Sequence, residues 1–178
     1  MCQFFSIITT GNGIPKYFDV KQRKEIHETP NCKWQWDSHA SLADYYKLNE
    51  DKCNKYEYNI FAKKFVIDQL NNKSDDSDQI KKWCDSFDFT EIIMSGYYHL
   101  RLDQTCPKEI KLPEHIFGDS NFEGWQGSAN NLQSIGGNAY FEGWQGSANA
   151  LQSIGWNAYF EDWKHYRKDI NVKHNIYR

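Results

Sequence analysis

Residues 122–140 read FEGWQGSANNLQSIGGNAY, and residues 141–159 repeat them as FEGWQGSANALQSIGWNAY. The two 19-residue copies agree at 17 positions, and their largest difference is Gly137 in the first against Trp156 in the second. A third copy opens at residues 160–163 with FEDW and then diverges. Tandem units of this kind are typical of a solenoid, in which each unit buries its apolar side chains against the next.

Small side chains set the spacing inside the repeat. They recur at steps of five residues, and a step of four leads into the next copy, at Gly124, Ala129, Ser134, Ala139 and Gly143. We therefore expect roughly one solenoid coil per copy, with the small residues at inward corners.

Helical repeats are the alternative. Apolar residues recur with the spacing of an amphipathic helix, for example at Phe141, Trp144 and Ala148. Nineteen residues are not a whole number of helical turns, so an apolar stripe would rotate from one copy to the next. Glycine also occurs at six places between residues 124 and 146, and each costs a helix roughly 1 kcal/mol relative to alanine. The solenoid is favoured.

Residues 1–103 have the mixed patterns of a small α+β head. The aspartates that end the polar loop 71–78 are expected to cap the helix that follows. The expected elements, in chain order, are strands at 4–10 and 14–18 around Gly11-Asn12-Gly13, helices at 20–28 and from Asp37 or Ser38 onward, strands at 55–58 and 64–68, a helix at 79–86 and a closing strand at 97–102.

Composition marks three further segments. Residues 104–118 carry Pro107 and Pro113 with little periodicity, which predicts a linker. Residues 119–163 hold the repeats and have no Lys or Arg. Residues 164–178 carry five Lys or Arg against a single Asp, and we expect them to form a basic cap over the end of the solenoid. The predicted fold is thus an α+β head, a linker, a solenoid-like repeat region and a cap.

The overall composition excludes several classes of protein. The 178 residues carry a net charge of −3, which disfavours direct binding to nucleic acid. Aromatic residues make up 16% of the chain, more than disordered proteins contain. No run of 18 apolar residues is present, and the first residues lack the basic region of a secretory signal. The five cysteines are widely spaced, so we expect a reducing compartment, no disulfide framework and no metal site.

Three residues are candidates for catalysis. Removal of Met1 would leave Cys2 at the amino terminus, where its α-amine could act as the base for a thiol nucleophile. Asp37 and His39 could supply an acid and a base. Packing of Cys2 in a strand and capping of a helix by Asp37-Ser38 are the competing structural roles.

Aromatic and acidic residues occupy equivalent places in successive repeats and are candidates for a binding surface. Trp125, Trp144 and Trp163 would stack in a ladder, and Glu123 and Glu142 precede two of them. If the ladder faces outward, it forms a protein-binding surface, because tryptophan is enriched at interface hot spots. If it faces inward, the indoles are internal packing. The sequence leaves both arrangements open.

The first 75 residues resemble a group of uncharacterised phage and prophage proteins. The residues that carry the resemblance are Met1-Cys2, Tyr17-Phe18-Asp19, Asp37-Ser38-His39, DKCNKYEY at residues 51–58 and VIDQLN at residues 66–71. Those proteins often end, as this chain does, in short tandem repeats rich in small residues. The resemblance implies a viral or mobile-element origin.

These observations together predict a non-enzymatic phage-type protein that binds and neutralises a host defence component. We expect a host protein as its partner, the host cytoplasm as its location and no cofactor. Open solenoid ends also favour self-association into a homo-oligomer. Two alternatives are a nucleotide-signal sponge, in which Tyr166 stacks on the base and Arg167 holds phosphate, and a cysteine-dependent hydrolase that uses Cys2.

Overall fold

A computed structural model describes residues 5–178 and separates them into two compact units, residues 5–89 and residues 90–178. The fold is α+β, as the sequence predicts: the first unit contains an antiparallel sheet with helices, and the second contains a β-solenoid-like region of about four turns. Helical repeats, the alternative, are wrong. None of the helices in residues 5–178 has the length and apolar character that crossing a membrane requires.

The first unit is built around one three-stranded antiparallel sheet. Its strands lie in the order β1-β2-β3, and β2 and β3 form the predicted second hairpin. The elements of this unit are β1 (Phe5–Thr9), α1 (Val20–Glu28), α2 (His39–Tyr45), a 3-10 turn (Glu50–Lys52), β2 (Asn54–Asn59), β3 (Lys64–Leu70) and α3 (Ser77–Ser86).

Local capping chemistry explains where the first two helices begin. Asp19 and Gln22 form a capping box at the start of α1, in which the Asp19 carboxylate accepts from the Gln22 amide and the Gln22 side chain accepts from the Asp19 amide. The Ser38 hydroxyl accepts a hydrogen bond from the Ser41 amide at the start of α2. Both helices were predicted, and Ser38 rather than Asp37 is the N-cap of α2.

The first predicted hairpin does not form as a pair of strands. Residues 14–18 contribute one isolated bridge, in which Ile8 and Lys16 exchange backbone hydrogen bonds of 3.0 and 2.9 Å. The ladder partner of β1 is instead β2, over all five residues of β1. Pro15 lies beside the bridge and has no N–H group to donate, so a ladder cannot extend through it.

The second unit winds as a parallel solenoid of short strands. Its strands form two sheets, in the orders β12-β10-β8-β6-β4 and β11-β9-β7-β5. The unit begins with a helix that the sequence did not predict, and its elements are α4 (Thr90–Ser95), β4 (Leu100–Arg101), β5 (His115–Ile116), β6 (Ser120–Asn121), β7 (Ser134–Ile135), β8 (Ala139–Tyr140), β9 (Ser153–Ile154), β10 (Ala158–Tyr159), β11 (Asn171–Val172) and β12 (Ile176–Tyr177).

Register in the solenoid follows the 19-residue repeat. Ser134 pairs with Ser153, and Ala139 pairs with Ala158, so each residue lies against its own equivalent in the next coil. The side chains that point inward are almost wholly buried: Phe122, Trp125, Ala129, Leu132, Ile135 and Ala139 in one coil, and Phe141, Trp144, Ala148, Leu151, Ile154 and Ala158 in the next. The core of this unit is therefore a set of stacked layers of like residues.

Three segments are placed differently from the expected domain plan. Residues 104–118, the expected linker, belong to the first coil, because β5 pairs with β7 and Leu112 and Ile116 are buried. Residues 164–178, the expected cap, form the last coil, since β11 pairs with β9 and β12 pairs with β10. Leu100–Arg101, from the expected closing strand of the head, pairs with β6 of the solenoid. Sparse apolar residues at the inward positions are enough to continue the stack.

Asp76 is a buried carboxylate that joins three parts of the first unit. Its side-chain oxygens accept hydrogen bonds from Tyr56 (2.6 Å), Asn54 (2.8 Å), Thr9 (3.1 Å) and the amide of Gly13 (2.8 Å). Asp76 occupies the N-cap position of α3, but its side chain makes no capping hydrogen bond. The loop aspartate thus holds the sheet and the 11–13 turn together instead of capping the helix.

Burial alone would raise the pKa of Asp76, but the hydrogen bonds from Tyr56, Asn54, Gly13 and Thr9 together lower this pKa below its usual value. An aspartate in an unfolded chain has a pKa of about 3.9. Because the folded pKa is the lower one, the stabilisation by ionised Asp76 is fully present above the unfolded pKa. It is lost as pH falls through the folded pKa.

We predict that Asp76→Asn lowers the free energy of unfolding at pH 7 by at least about 2 kcal/mol, because the new NH₂ group faces hydrogen-bond donors. Urea unfolding of both proteins between pH 7 and pH 2 should show the difference shrinking as the pH falls. Asp75→Asn removes an exposed neighbouring carboxylate but keeps a side-chain oxygen that can accept the hydrogen bond from the Ser77 amide, so it should change the free energy of unfolding much less than Asp76→Asn. A difference that stays constant down to pH 2 would contradict the assigned role.

Candidate functional site

The three repeated tryptophans lie inside the solenoid. Trp125, Trp144 and Trp163 are 1%, 0% and 5% exposed. They stack as a ladder, with ring centroids 5.9 Å apart between Trp125 and Trp144 and 5.3 Å apart between Trp144 and Trp163. The inward arrangement, which the sequence left open, is the one found. The prediction that these indoles form an outward recognition surface is therefore wrong.

Each indole is fixed by a hydrogen bond to the preceding coil. The Nε1 of Trp144 donates to the carbonyl of Gly127 at 3.0 Å, and the Nε1 of Trp163 donates to the carbonyl of Gly146 at 2.8 Å. A Cβ at Gly146 would lie 1.8 Å from the Gly127 oxygen and 2.6 Å from the Trp144 Nε1. Glycine two residues after the tryptophan is thus required for the coils to approach.

The other predicted binding residues do not form one surface. Glu123 is exposed and Glu142 is half-buried. The guanidinium of Arg167 donates to the carbonyls of Asn149 and Leu151, so it closes the last coil onto the coil before it. The Tyr166 ring lies 4.4 Å from the ring of Phe160, and its hydroxyl accepts a hydrogen bond from Arg178 at 2.7 Å.

A different set of aromatic residues reaches the surface of the last coils. Tyr140, Tyr159 and Tyr177 stack with ring centroids 4.8 and 4.6 Å apart, and Tyr177 is 46% exposed. Trp156 is 54% exposed, and its ring stacks on His174 at 4.6 Å. We call these five residues the aromatic face. It presents two parallel rows of rings along the stacking direction.

Two signals in the sequence indicate this aromatic face, although the prediction missed it. Neighbouring residues of a strand point to opposite sides, so in Ala139–Tyr140 and Ala158–Tyr159 an inward alanine leaves the tyrosine outside. The exchange of Gly137 for Trp156 between two nearly identical copies is the second signal. A change of that size would be tolerated only outside the closely packed interior.

Tyr140, the first ring of the tyrosine row, is uncharged at neutral pH. Burial, followed by the nearby Asp119, Tyr159 and Glu142, raises the pKa of Tyr140 above its ordinary value. Its hydroxyl therefore remains protonated and can donate or accept a hydrogen bond. The row combines flat apolar rings with polar hydroxyl groups.

The predicted catalytic residues Asp37 and His39 line one surface depression of about 430 Å³ in the first unit. An Asp37 oxygen lies 3.7 Å from a guanidinium nitrogen of the buried Arg23. His39 is 5% exposed; its Nε2 lies 3.0 Å from the Tyr56 carbonyl oxygen and its Nδ1 lies 3.4 Å from Asp68 Oδ2. Cys2 lies outside the described residues.

His39 also belongs to a group of side chains with metal-ligating atoms. One potential ligand atom from each of His39, Glu57 and Asp68 lies within 4.8 Å of the other two. The two carboxylates come from adjacent strands of the β2–β3 hairpin, and the imidazole comes from the first residue of α2. In the part of the chain that the structure describes, this is the group able to hold a metal ion.

Comparisons with known proteins add no functional assignment: no family model, curated protein or solved structure matches the chain. The resemblance to phage proteins stays a prediction.

The contrast between buried and exposed tryptophans gives a test of the solenoid. Trp144→Ala should lower the free energy of unfolding by about 3–5 kcal/mol, because it opens a cavity in the aromatic stack. Trp156→Ala, in the same coil, should lower it by only about 1 kcal/mol, because it removes the stacking on His174 at a half-exposed position. Urea unfolding followed by circular dichroism measures both. Similar losses in the two variants would show that the indoles are not placed as described.

Proposed function

We propose that the protein works by binding another protein through the aromatic face. The observation that carries this proposal is the exposure of Trp156, whose ring stacks on His174 in the same two coils that carry Tyr159 and Tyr177. Large exposed aromatic side chains are uncommon on a surface that binds nothing, and tryptophan and tyrosine are enriched among the residues that dominate binding energies.

Rigidity supports the same proposal. Each ring of the tyrosine row is stacked on the next at 4.6–4.8 Å, and the backbone beneath it is held by parallel pairing between coils. Side chains that are already ordered lose little conformational entropy on binding. A preorganised row of rings therefore favours a folded protein surface as the partner.

Charge disfavours nucleic acid as the partner. Residues 119–163 carry five acidic side chains and no Lys or Arg, so this part of the solenoid repels a phosphate backbone. The basic residues of this unit lie in its first coil, at Arg101, Lys108 and Lys111, and in its last coil, where Arg167 donates to backbone carbonyls.

The two alternative functions have weaker support. A depression of about 640 Å³ on the last coil is lined by Lys164 and Arg178, but also by Glu161 and Asp162, which oppose phosphate binding. For the hydrolase, Asp37 and His39 are each engaged by another side chain or by backbone. Neither arrangement favours these activities over protein binding.

The identity of the partner follows from the resemblance to phage proteins. On that basis we propose that the partner is a host defence protein, that binding neutralises it, and that this takes place in the host cytoplasm without a cofactor. β11 and β12 are the outermost strands of their sheets in the described residues, so self-association through these strands is the competing use of this region.

The binding proposal is tested by pull-down from host lysate with the parent protein and with Trp156→Gly, which restores the residue found at the equivalent position 137. Any captured protein is then purified, and its affinity for both forms is measured by calorimetry. We expect Trp156→Gly to weaken binding by roughly 30-fold or more, the effect of losing a hot-spot residue of about 2 kcal/mol.

Gln152→Ala is the matched control. Gln152 is exposed and lies directly before β9, which belongs to the sheet that does not carry the tyrosine row. It should bind like the parent protein. Sedimentation of the purified protein over a range of concentrations detects self-association. Equal affinity of a captured protein for the parent protein and for Trp156→Gly would refute binding through the aromatic face. Dimers that Trp156→Gly abolishes, with no heterologous partner captured, would refute binding of a host protein and assign the face to self-association.

A further inference from the structure

We propose that His39, Glu57 and Asp68 bind a divalent metal cation of the class that accepts mixed nitrogen and oxygen ligands, such as Zn²⁺ or Mn²⁺. One potential ligand atom from each residue lies within 4.8 Å of the other two. Imidazole nitrogen and carboxylate oxygen bind Zn²⁺ at about 2.0–2.2 Å, and three protein ligands with water in the remaining position form a complete open site. Rotation of the two carboxylate side chains would let all three ligand atoms reach one cation at about 2.0–2.2 Å.

The hairpin places one carboxylate by an irregularity in its ladder. Lys55 pairs with Gln69 and Tyr56 pairs with Ile67, so Asp68 is the extra residue of a β-bulge. A bulge re-aims the side chain at its site and is common beside functional sites. Here the bulge residue is the one whose carboxylate lies 3.4 Å from the His39 Nδ1.

The orientation of the imidazole matches that of a metal ligand. The Nε2 of His39 lies 3.0 Å from the Tyr56 carbonyl oxygen, and because a carbonyl only accepts, Nε2 carries a hydrogen in this contact. In the neutral tautomer Nδ1 then presents its lone pair toward the Asp68 carboxylate. That contact is repulsive unless a proton or a cation lies between the two groups. Metal-bound histidines usually donate their other N–H to a backbone carbonyl or a carboxylate in this way.

The composition of the cluster suits a divalent cation. Two other carboxylates of the same region have cationic neighbours: Asp37 lies beside Arg23, and Glu50 lies 2.7 Å from the Lys55 ammonium. Glu57 and Asp68 each have an oxygen within 4.8 Å of the same imidazole. A divalent cation neutralises both carboxylates and leaves the imidazole uncharged, which is the form that binds metal.

The site is open to solvent on one side. The Asp68 side chain is 44% exposed, and both His39 and Asp68 line the depression of about 430 Å³. A hydrated cation can reach the carboxylate first and then bind the buried imidazole. Water in the depression would complete its coordination.

The test is titration of metal-stripped protein with MnCl₂ and, separately, with ZnCl₂ by calorimetry, together with thermal unfolding. We expect one cation per chain and a rise in Tm of roughly 5 °C or more when free metal reaches 100 times its Kd. Asp68→Asn and Glu57→Gln should each weaken binding by about tenfold or more, since even residues that only support a ligand have effects of that size.

Asp51→Asn is the matched control. It removes one negative charge, as the two carboxylate variants do, but from an exposed residue of the nearby 3-10 turn that is not part of the cluster. It should bind the metal like the parent protein. His39→Gln is measured last, since His39 is buried, and its fold is checked by circular dichroism. Two results overturn the proposal: no binding of either cation, or Zn²⁺ binding that survives both carboxylate variants, which would place the metal at cysteine thiols.

Discussion

Stacking of like residues from coil to coil is the constraint on which the second unit depends. Trp144 lies between Trp125 and Trp163, and its Nε1 is tied to the carbonyl of Gly127. Aromatic contacts of this kind add about 0.5–1.5 kcal/mol each beyond the burial of area. The strands are only two residues long, but backbone hydrogen bonds between coils continue beyond them, for example from the Trp156 amide to the Gly137 carbonyl. Side-chain layers and backbone pairing thus set the same register, and the ladder of Asn138 and Asn157 reinforces it at a corner.

That constraint explains why the repeat is strict at some positions and free at others. Every inward residue of residues 122–140 is unchanged in residues 141–159, whereas Trp156, which replaces Gly137, is exposed. A Cβ at Gly137 would lie 2.2 Å from the Asp119 Oδ1, so the larger residue fits in the second copy and not in the first. The aromatic face includes such a change. Trp156 replaces the glycine of the preceding copy, and its ring stacks on His174 of the last coil. Binding function is accordingly expected at the positions where the copies differ.

The sequence predicts the elements that nearby residues determine. It does not predict the features that depend on contacts between residues far apart in the chain. Helix α1, the start of α2 and the β2–β3 hairpin follow from caps and alternation within a few residues, and they were predicted. The coil at residues 104–118 was missed because its sequence does not resemble the repeat. It joins the stack through Leu112 and Ile116, which fill inward positions against the next coil. Spacing also could not decide whether the indoles point inward, because inward and outward side chains both recur every 19 residues.

The first unit shows the same limit at its polar sites. Asp76 was expected to cap a helix, yet its oxygens bind Tyr56, Asn54 and Thr9, which are more than eighteen residues away along the chain. His39, Glu57 and Asp68 have no motif spacing, and only a helix start, a strand and a bulge bring them together. Cysteine spacing carries no information about this cluster, because none of its three residues is a cysteine. The two polar sites also differ in kind. Asp76 is surrounded by hydrogen-bond donors that balance its charge, whereas Glu57 and Asp68 face an imidazole that cannot balance both. A carboxylate whose charge the protein's own hydrogen-bond donors balance serves the fold, and one that can accept a cation can serve binding.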